Sequence, residues 1–538
     1  MQRIIGWVLC LAAAASAQAP GKCTIEGRVI NALTGAPLKK TIVWVEPFSP
    51  SRDASHVSAA STVTDAQGWF QIEEIEPGTY FLNARRTGYL DQGFGGAGPE
   101  VVGTPVKLAA GQRTQDVIIR LTPQSLLYGK VVDEDGEGLA NAEVTVWRMS
   151  YADGRKHLET FTAGNTQADG SVVIGHIPPG RWYVSATVRG IDEGTRDVYA
   201  PTFYPGTTDS SAAAPVDVSA GADVQGLNIR LRKARTFRIR GHAPPHTVLQ
   251  LLRRDRSVLE ETTAAVNADL NGRFEFQNVA PGRYAIAAEQ DTAFFAIAAS
   301  ATDAAVAPPA VRPSAVEITD SDLDDVELPV GEPAAILGSI IGGRQGEQPL
   351  IELVPAGPRR EPANIAQVDA KGGFRFVRAL PTVYRIRVRR LSDGFYVKSV
   401  RFAGHDITNQ DLDLTSGAGG ALEITLAADG GEIAGTARGA DGKAMPGALV
   451  QVWPAGGENA RSLRADENGR FRFLGLPPAD YRVIAWEALD DDLAEYPPFR
   501  ARFEAQAAEV KVAEQGHENV DVTAVARAAT AAEAAKLR

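Results

Sequence analysis

The sequence predicts an all-β protein, a tandem array of five Ig-like or transthyretin-like β-sandwich domains behind a signal peptide. Three observations carry this. One pattern, Gly-x-apolar-x-apolar-x-x-apolar-x-Pro-x-x-aromatic, returns at Gly68, Gly170, Gly272, Gly372 and Gly469, each about 100 residues after the last, the size of a small domain. Within every copy the apolar positions alternate with period two, as on a half-buried strand. The 53 Gly and 32 Pro fall between such runs, so turns punctuate the chain and helical periodicity is scarce.

Residues 1–19 read as a secretory signal peptide: Arg3, an apolar run from Ile4 to Ala15, then small residues at Ala15-Ser16-Ala17 or Ala17-Gln18-Ala19. The run is shorter than the roughly 20 residues a membrane span needs, and no later segment is apolar enough. Cys23 follows Pro20-Gly21-Lys22 rather than a lipidation box. The expectation is an exported chain, periplasmic, cell-surface or extracellular, and not an integral membrane protein. Once the signal is removed, Cys23 is the one cysteine left, a free thiol or an intermolecular link. A formal charge of −11 argues against nucleic acid as a partner, since that selects basic stripes. Hydrophobic content of 44% with 22% charged residues describes globular material.

The domains are then 20–123, 124–233, 234–330, 331–428 and 429–525, followed by an Ala-rich tail, 526–538, read as a frayed helix. Linkers are expected near Pro123, Lys233, Val330 and Asp429. Each domain opens on a strand containing a glycine, Gly27, Gly129, Gly241, Gly338 or Gly435. An apolar strand follows a turn, as in Ile42-Val43-Trp44-Val45 or Leu449-Val450-Gln451-Val452-Trp453. Next comes the repeated hairpin. In four copies an Asp three residues ahead of the glycine (Asp65, Asp269, Asp369, Asp466) is placed to bond its own backbone, with the glycine at positive φ. The pair Pro77-Gly78 and its counterparts read as a type II turn, with glycine again in the left-handed position. An alternating strand such as Val117-Ile118-Ile119-Arg120-Leu121 closes the domain. About seven strands per unit make a two-sheet sandwich.

Gly-x-Val, a turn, Val-x-Val, then Asp-x-x-Gly-x-Phe-x-Phe-x-x-Leu-x-Pro-Gly-x-Tyr resembles the carboxypeptidase regulatory-like family. That family is similar to transthyretin-like sandwiches and collagen-adhesin B-type repeats, and lies close to carbohydrate-binding-like folds. The resemblance is clearest in the first, second and fifth units. It implies an accessory domain and no peptidase activity.

No residue set calls for a metal, a cofactor or catalysis. Pro244-Pro245 between His242 and His246 forbids the helix that would bring both onto one face. Gly93-Phe94-Gly95-Gly96-Ala97-Gly98 spells a dinucleotide fingerprint, yet Pro99-Glu100 and a β-rich segment follow where a helix is required. Asp320, Asp322, Asp324 and Asp325 read as a solvated turn. The collagen-adhesin resemblance implies a Lys–Asn crosslink for which Lys130 and Asn228 stand in suitable places, but alternation puts both opposite the apolar set. Aromatics are the functional lead, because flat rings with polar surroundings are what a sugar face stacks on. Trp69 takes an outward slot filled elsewhere by Ser171, Arg273, Gly373 and Arg470, and Phe203 and Tyr204 sit on a long loop. Trp69, Phe203 and Tyr204 are therefore the candidate ligand-binding aromatics, with packing between units as the competing role. The reading is a non-catalytic exported binding or spacer protein whose partner is a glycan. Alternatives are a scaffold or accessory subunit of an outer-membrane or envelope protein complex, and a hydrolase with a site assembled across domains.

Overall fold

The computed structural model describes residues 21–47, 60–96, 98–99, 103–151, 156–188, 197–253, 261–288, 310–311, 314–328, 330–331, 334–344, 347–355, 364–415, 419–457, 460–466, 468–534 and 536–537. The signal-peptide reading lies outside them. The chain divides into two compact parts, 1–123 and 124–538.

The first part is one β-sandwich. Its strands are β1 (Cys23–Asn31), β2 (Ile42–Pro47), β3 (Ala60–Val63), β4 (Trp69–Ile75), β5 (Gly78–Arg85), β6 (Gln92–Gly93), β7 (Val106–Leu108) and β8 (Arg113–Leu121). One sheet runs β4-β1-β8; the other runs β3-β2-β5-β6, with β7 also on β5. Between them lie Ile25, Val43, Phe70, Ile72, Leu82 and Ile119, all buried, and each is the inward member of an alternating strand. Cys23 belongs to this core, its thiol donating to the Ala109 carbonyl at 3.0 Å. Burial rules out the intermolecular link.

The second part holds four further cores, centred on Val146 and Ile174, on Leu251 and Phe276, on Leu353 and Phe376, and on Val452 and Phe473. In the last, Val522–Val525 pairs with both Gly431–Arg438 and Ala479–Trp486, so the two sheets join into one. In every sandwich the opening strand runs parallel to a closing strand. The second and fifth sandwiches also touch: Ser150 donates to Asp492 at 3.0 Å, and the Tyr151 and Tyr496 rings lie 5.0 Å apart. The Ala-rich tail is not frayed. Its helix, Arg527–Ala534, is tied down by the Arg527 N–H on Glu487 (2.9 Å) and by buried Thr530.

The repeated hairpin turn forms as its sequence predicts. One carboxylate oxygen of Asp65 accepts the N–H groups of Gln67 (2.9 Å) and Trp69 (2.8 Å). Asp269, Asp369 and Asp466 do the same two and four residues on, and all five tip glycines have φ between +71° and +83°. The backbone N–H of Arg273, then that of Asn271, holds the Asp269 carboxyl below its ordinary range; Gly373 and Lys371 do so for Asp369. An unfolded Asp titrates near pH 4. A carboxyl lowered in the fold adds stability above that pH and loses it as pH falls through the depressed value. Thermal midpoints are expected to hold from pH 7 to about 5 and to drop below about 4. Asp269→Asn, whose amide oxygen accepts the same bonds without titrating, is expected to soften the drop in the third sandwich, as read by scanning calorimetry across pH.

The Pro-Gly turn differs from expectation. Gly180 and Gly282 keep a positive φ, 158°, at the far edge of the left-handed range, Gly78 does not, and the strongly left-handed residues are Glu74, His176 and Asn278, at bulges before the turn. The aromatic two residues on folds back over this position: a Cβ at Gly78 would stand 3.1 Å from the Tyr80 ring, and one at Gly282 3.4 Å from the Tyr284 ring, while the fifth copy places Ala479 there before Tyr481. From there the buried ring meets a backbone partner four residues upstream. Tyr80, Tyr284 and Tyr481 donate to the carbonyls of Glu76, Ala280 and Pro477 at 3.0, 2.8 and 2.7 Å, and the Trp182 indole donates to Pro178 at 2.9 Å.

The expected linkers are not free strands. Leu90 donates to Thr122, Asp197–Tyr199 pairs with Lys233–Arg235, Ala310–Val311 pairs with Val330–Gly331, and Gly430 donates to Gly394. Each junction is thus fastened to the segment that follows the preceding hairpin. Limited proteolysis is expected to leave fragments of domain size ending near the four junctions, after a lag in which these short ladders open. Primary cuts inside the Phe-x-Phe hairpins would show a different partition.

Candidate ligand-binding surface

Trp69 opens β4 immediately after the Asp65 turn, and Phe70 beside it points into the core. Alternation therefore puts the indole on the outer face of the β4-β1-β8 sheet, where it is half-buried. Its cross-strand neighbour is Arg28, and beyond Arg28 stands Ile118, 43% exposed. The next row holds Gln71 and Glu26. Arg113 covers Glu26, donating from two guanidinium nitrogens at 3.0 and 2.7 Å, and Gln115 adds a third bond. Those bonds, Arg113 first, hold the Glu26 carboxyl below the usual carboxylate range. Trp69 thus sits on a flat sheet face beside a cation, an exposed aliphatic side chain and an ordered carboxylate. Arg28 and Ile118 were not singled out from sequence. They lie roughly 40 and 50 residues from Trp69, and only the ladder places them in one row.

Phe203 departs from the expectation of an exposed loop ring. It is 7% exposed, in the short strand Thr202–Phe203 beside Ser185–Ala186, with its ring 6.1 Å from that of Trp147. Trp147, outward on its own strand, is buried under it and donates its indole N–H to Ser185 at 2.8 Å. Tyr204 is half-buried and packs against the second core. The loop is laid onto the sheet by main-chain bonds from Tyr204 to Val184 (2.8 Å) and from Ala214 to Tyr204 (3.0 Å). A sequence signal existed: an outward Trp on one strand and an aromatic on the loop that returns to the same sheet.

The fifth sandwich repeats this covering with different material. The helical turns Asp491–Glu495, Pro497–Arg500 and Ala501–Gln506 follow the hairpin. They bring Phe499 and Phe503 onto Trp486 (6.0 and 5.1 Å) and Arg500 onto Trp453 (4.9 Å).

The remaining polar clusters are engaged in structure. Asp322 accepts the Arg238 N–H at 3.0 Å and Asp324 pairs with Arg240 at 3.1 Å. Asp490 caps the turn that starts at Asp491. Among the described residues no group of three His, Cys, Asp or Glu side chains could hold a metal ion. Lys130 and Asn228 are direct neighbours on parallel strands, and both are exposed, without the apolar surroundings such a crosslink needs to shift the reacting groups' pKa values. No helix among the described residues is long and apolar enough to cross a membrane.

Residues 24–122 and 432–525 match the carboxypeptidase regulatory-like domain, so the first and fifth sandwiches are the two that show this likeness. No curated protein matches the chain. Among solved structures, the chain is similar to the Bacillus anthracis TIE protein, at 9% identity over 90% of this chain and 68% of that one, with a TM-score of 0.16. A streptococcal ancillary pilin matches at 13% identity over 57% of this chain and 98% of that one, with a TM-score of 0.20. The minor pilin GBS52 of Streptococcus agalactiae matches at 13% identity over 40% and 97%, with a TM-score of 0.23.

Proposed function

We infer, from a chain carrying two carboxypeptidase regulatory-like segments among five β-sandwich cores, that this is a non-catalytic, exported binding and spacing protein with a glycan as its ligand. One observation carries the ligand class. Trp69 keeps part of its ring at the surface of the first sandwich, beside Arg28 and Ile118, at a position the repeats fill with Ser171, Arg273, Gly373 and Arg470. The core does not require an indole there. A pyranose would lay its C–H face on the ring and direct hydroxyls to Arg28 and Gln71. Export rests on the N-terminal sequence.

Phe203 has no free face and is assigned to packing. Trp69→Ala is expected to weaken glycan binding at least tenfold while leaving the thermal midpoint nearly unchanged. Phe203→Ala is expected to destabilise the second sandwich by about 3 kcal/mol and to leave binding intact. A glycan array followed by calorimetric titration of both variants measures the two effects. A Trp69→Ala protein that binds as the parent does would remove Trp69 from the site.

A further inference from the structure

The first sandwich has a second outer face, on the opposite sheet. On β2 the side chains of Ile42, Trp44 and Glu46 alternate with buried Val43 and Val45. Pairing sets them in rows. Ile42 lies between Val63 and Arg85, Trp44 between Ser61 and Asn83, and Glu46 beside Phe81. Ile42 is 48% and Val63 57% exposed; Trp44 and Phe81 are half-buried. A stripe of large apolar groups on an outer sheet face is unusual unless something covers it.

The sister sandwiches show what covers it. In the second, Phe203 lies over the corresponding face and buries Trp147; in the fifth, the helical turns bury Trp453 and Trp486. Phe203 pairs with Ser185, three residues past Trp182. The equivalent position of the first sandwich, three residues past Tyr80, is Asn83, and its partner is Gly93. Where the second sandwich places an aromatic ring, the first has no side chain, and the adjacent Phe94 packs against the core instead.

We propose that this face, centred on Trp44 and left without an aromatic cover among the described residues, is a second saccharide-binding surface and that its ligand is a neutral polysaccharide. The inference rests on the glycan reading given above for Trp69. Charge selects the neutral class. The guanidinium of Arg85 lies over the Trp44 ring, 5.5 Å from its centroid, and donates to Asp91 at 2.7 Å, so its charge is already matched and no excess cation awaits an acidic sugar. A pyranose ring has the size and flatness of the missing Phe. Its C–H face suits Ile42 and Val63 with the part of the Trp44 ring that Arg85 leaves exposed, and the Ser61 hydroxyl and Asn83 amide stand in the Trp44 row to bond its rim.

The test is calorimetric titration of the full chain with cellohexaose, xylohexaose and maltohexaose, each followed also by tryptophan fluorescence. At least one is expected to bind the parent. Trp44→Ala is expected to weaken that binding tenfold or more, and Asn83→Ala severalfold, with unchanged circular dichroism, while a site persists in Trp69→Ala. Binding lost in Trp69→Ala but unaltered in Trp44→Ala and Asn83→Ala overturns the Trp44 face and leaves the Trp69 reading standing. No binding of any of the three by the parent overturns the neutral-polysaccharide assignment, and acidic glycans on the array would still report on Trp69. Loss of self-association in Trp44→Ala, seen by sedimentation velocity without loss of saccharide binding, would assign the face to protein contact and overturn the proposal.

Discussion

Phe471→Ala is expected to destabilise the fifth sandwich by about 3–5 kcal/mol, the cost of emptying a buried Phe site, and Phe274→Ala to do the same to the third. Both rings are 4% exposed and meet a second core Phe, Phe473 at 6.2 Å and Phe276 at 5.7 Å. Neither site can collapse easily. Each ring also lies under the glycine of the opening strand: a Cβ at Gly435 would be 2.9 Å from Phe471 and one at Gly241 2.8 Å from Phe274. The side chains one residue earlier, Arg470 and Arg273, are exposed, and their replacement by Ala is expected to stay within about 0.5 kcal/mol. Calorimetric scans of the full chain that resolve separate transitions check this, because each Phe variant should shift the transition of its own sandwich. Equal losses from the Arg and Phe variants would contradict the face assignment.

The other large effect is expected at Gly435 itself. A methyl there would stand 1.8 Å from the Val520 carbonyl oxygen, and at Gly27, Gly129 and Gly241 the closest atom is again a carbonyl of the closing strand, at 2.1, 2.4 and 2.1 Å. The cause is a bulge. Where the opening strand advances two residues, from Ile25 to Gly27, the closing strand advances three, from Thr114 to Val117, and Asp116 takes φ of 59°. The residue after the bulge turns its carbonyl onto the glycine. Gly435→Ala must push two backbones apart and is expected to cost about 3 kcal/mol, the upper part of the usual range for overpacking. At Gly338 the nearest atom is the tip of the Phe374 ring, 2.1 Å away, and displacing one side chain costs less than parting two backbones, so Gly338→Ala should cost less. Chemical denaturation of the two variants compares them; a smaller loss at Gly435 than at Gly338 would contradict this account.

These two residue classes mark how far the sequence could be read. The Asp65-type turn was legible because donor and acceptor lie within four residues and need nothing from elsewhere. Phe471 was legible because alternation is a property of a single strand. Gly27 was visible as a recurring letter, but its reason is a carbonyl some 90 residues away, and no local rule points there. Gly78 does not take the positive φ that Gly180 and Gly282 keep, and with Ala479 in the same place before Tyr481 the letter alone could not give the turn's geometry. Phe203 was misplaced for a related cause. A loop on sequence grounds is exposed by default, and only the paired strand shows that its ring seals Trp147. For the candidate site, Trp69 could be picked by comparing repeats and alternation sets Trp44 outward, whereas the missing ring over Trp44 emerged only when Gly93 and Phe203 were found in the same register position.

The parallel pairing of opening and closing strands bears on how a sandwich responds to mechanical load. In the first sandwich the chain enters at the Cys23 end of β1 and leaves at the Leu121 end of β8, and the ladder between them runs from Thr24 beside Arg113 to Asn31 beside Leu121. At roughly 3.3 Å per residue the points of entry and exit are separated by about 26 Å. Tension applied to the two ends slides β1 along β8, so the bonds of that ladder bear the force together and none opens alone. A hairpin pulled at its open end would instead unzip one pair at a time. Each of the five sandwiches has this arrangement. Single-molecule extension of the chain is therefore expected to show abrupt unfolding steps at high force, and Gly27→Ala, by prising β1 from β8, to lower the force of the step that belongs to the first sandwich.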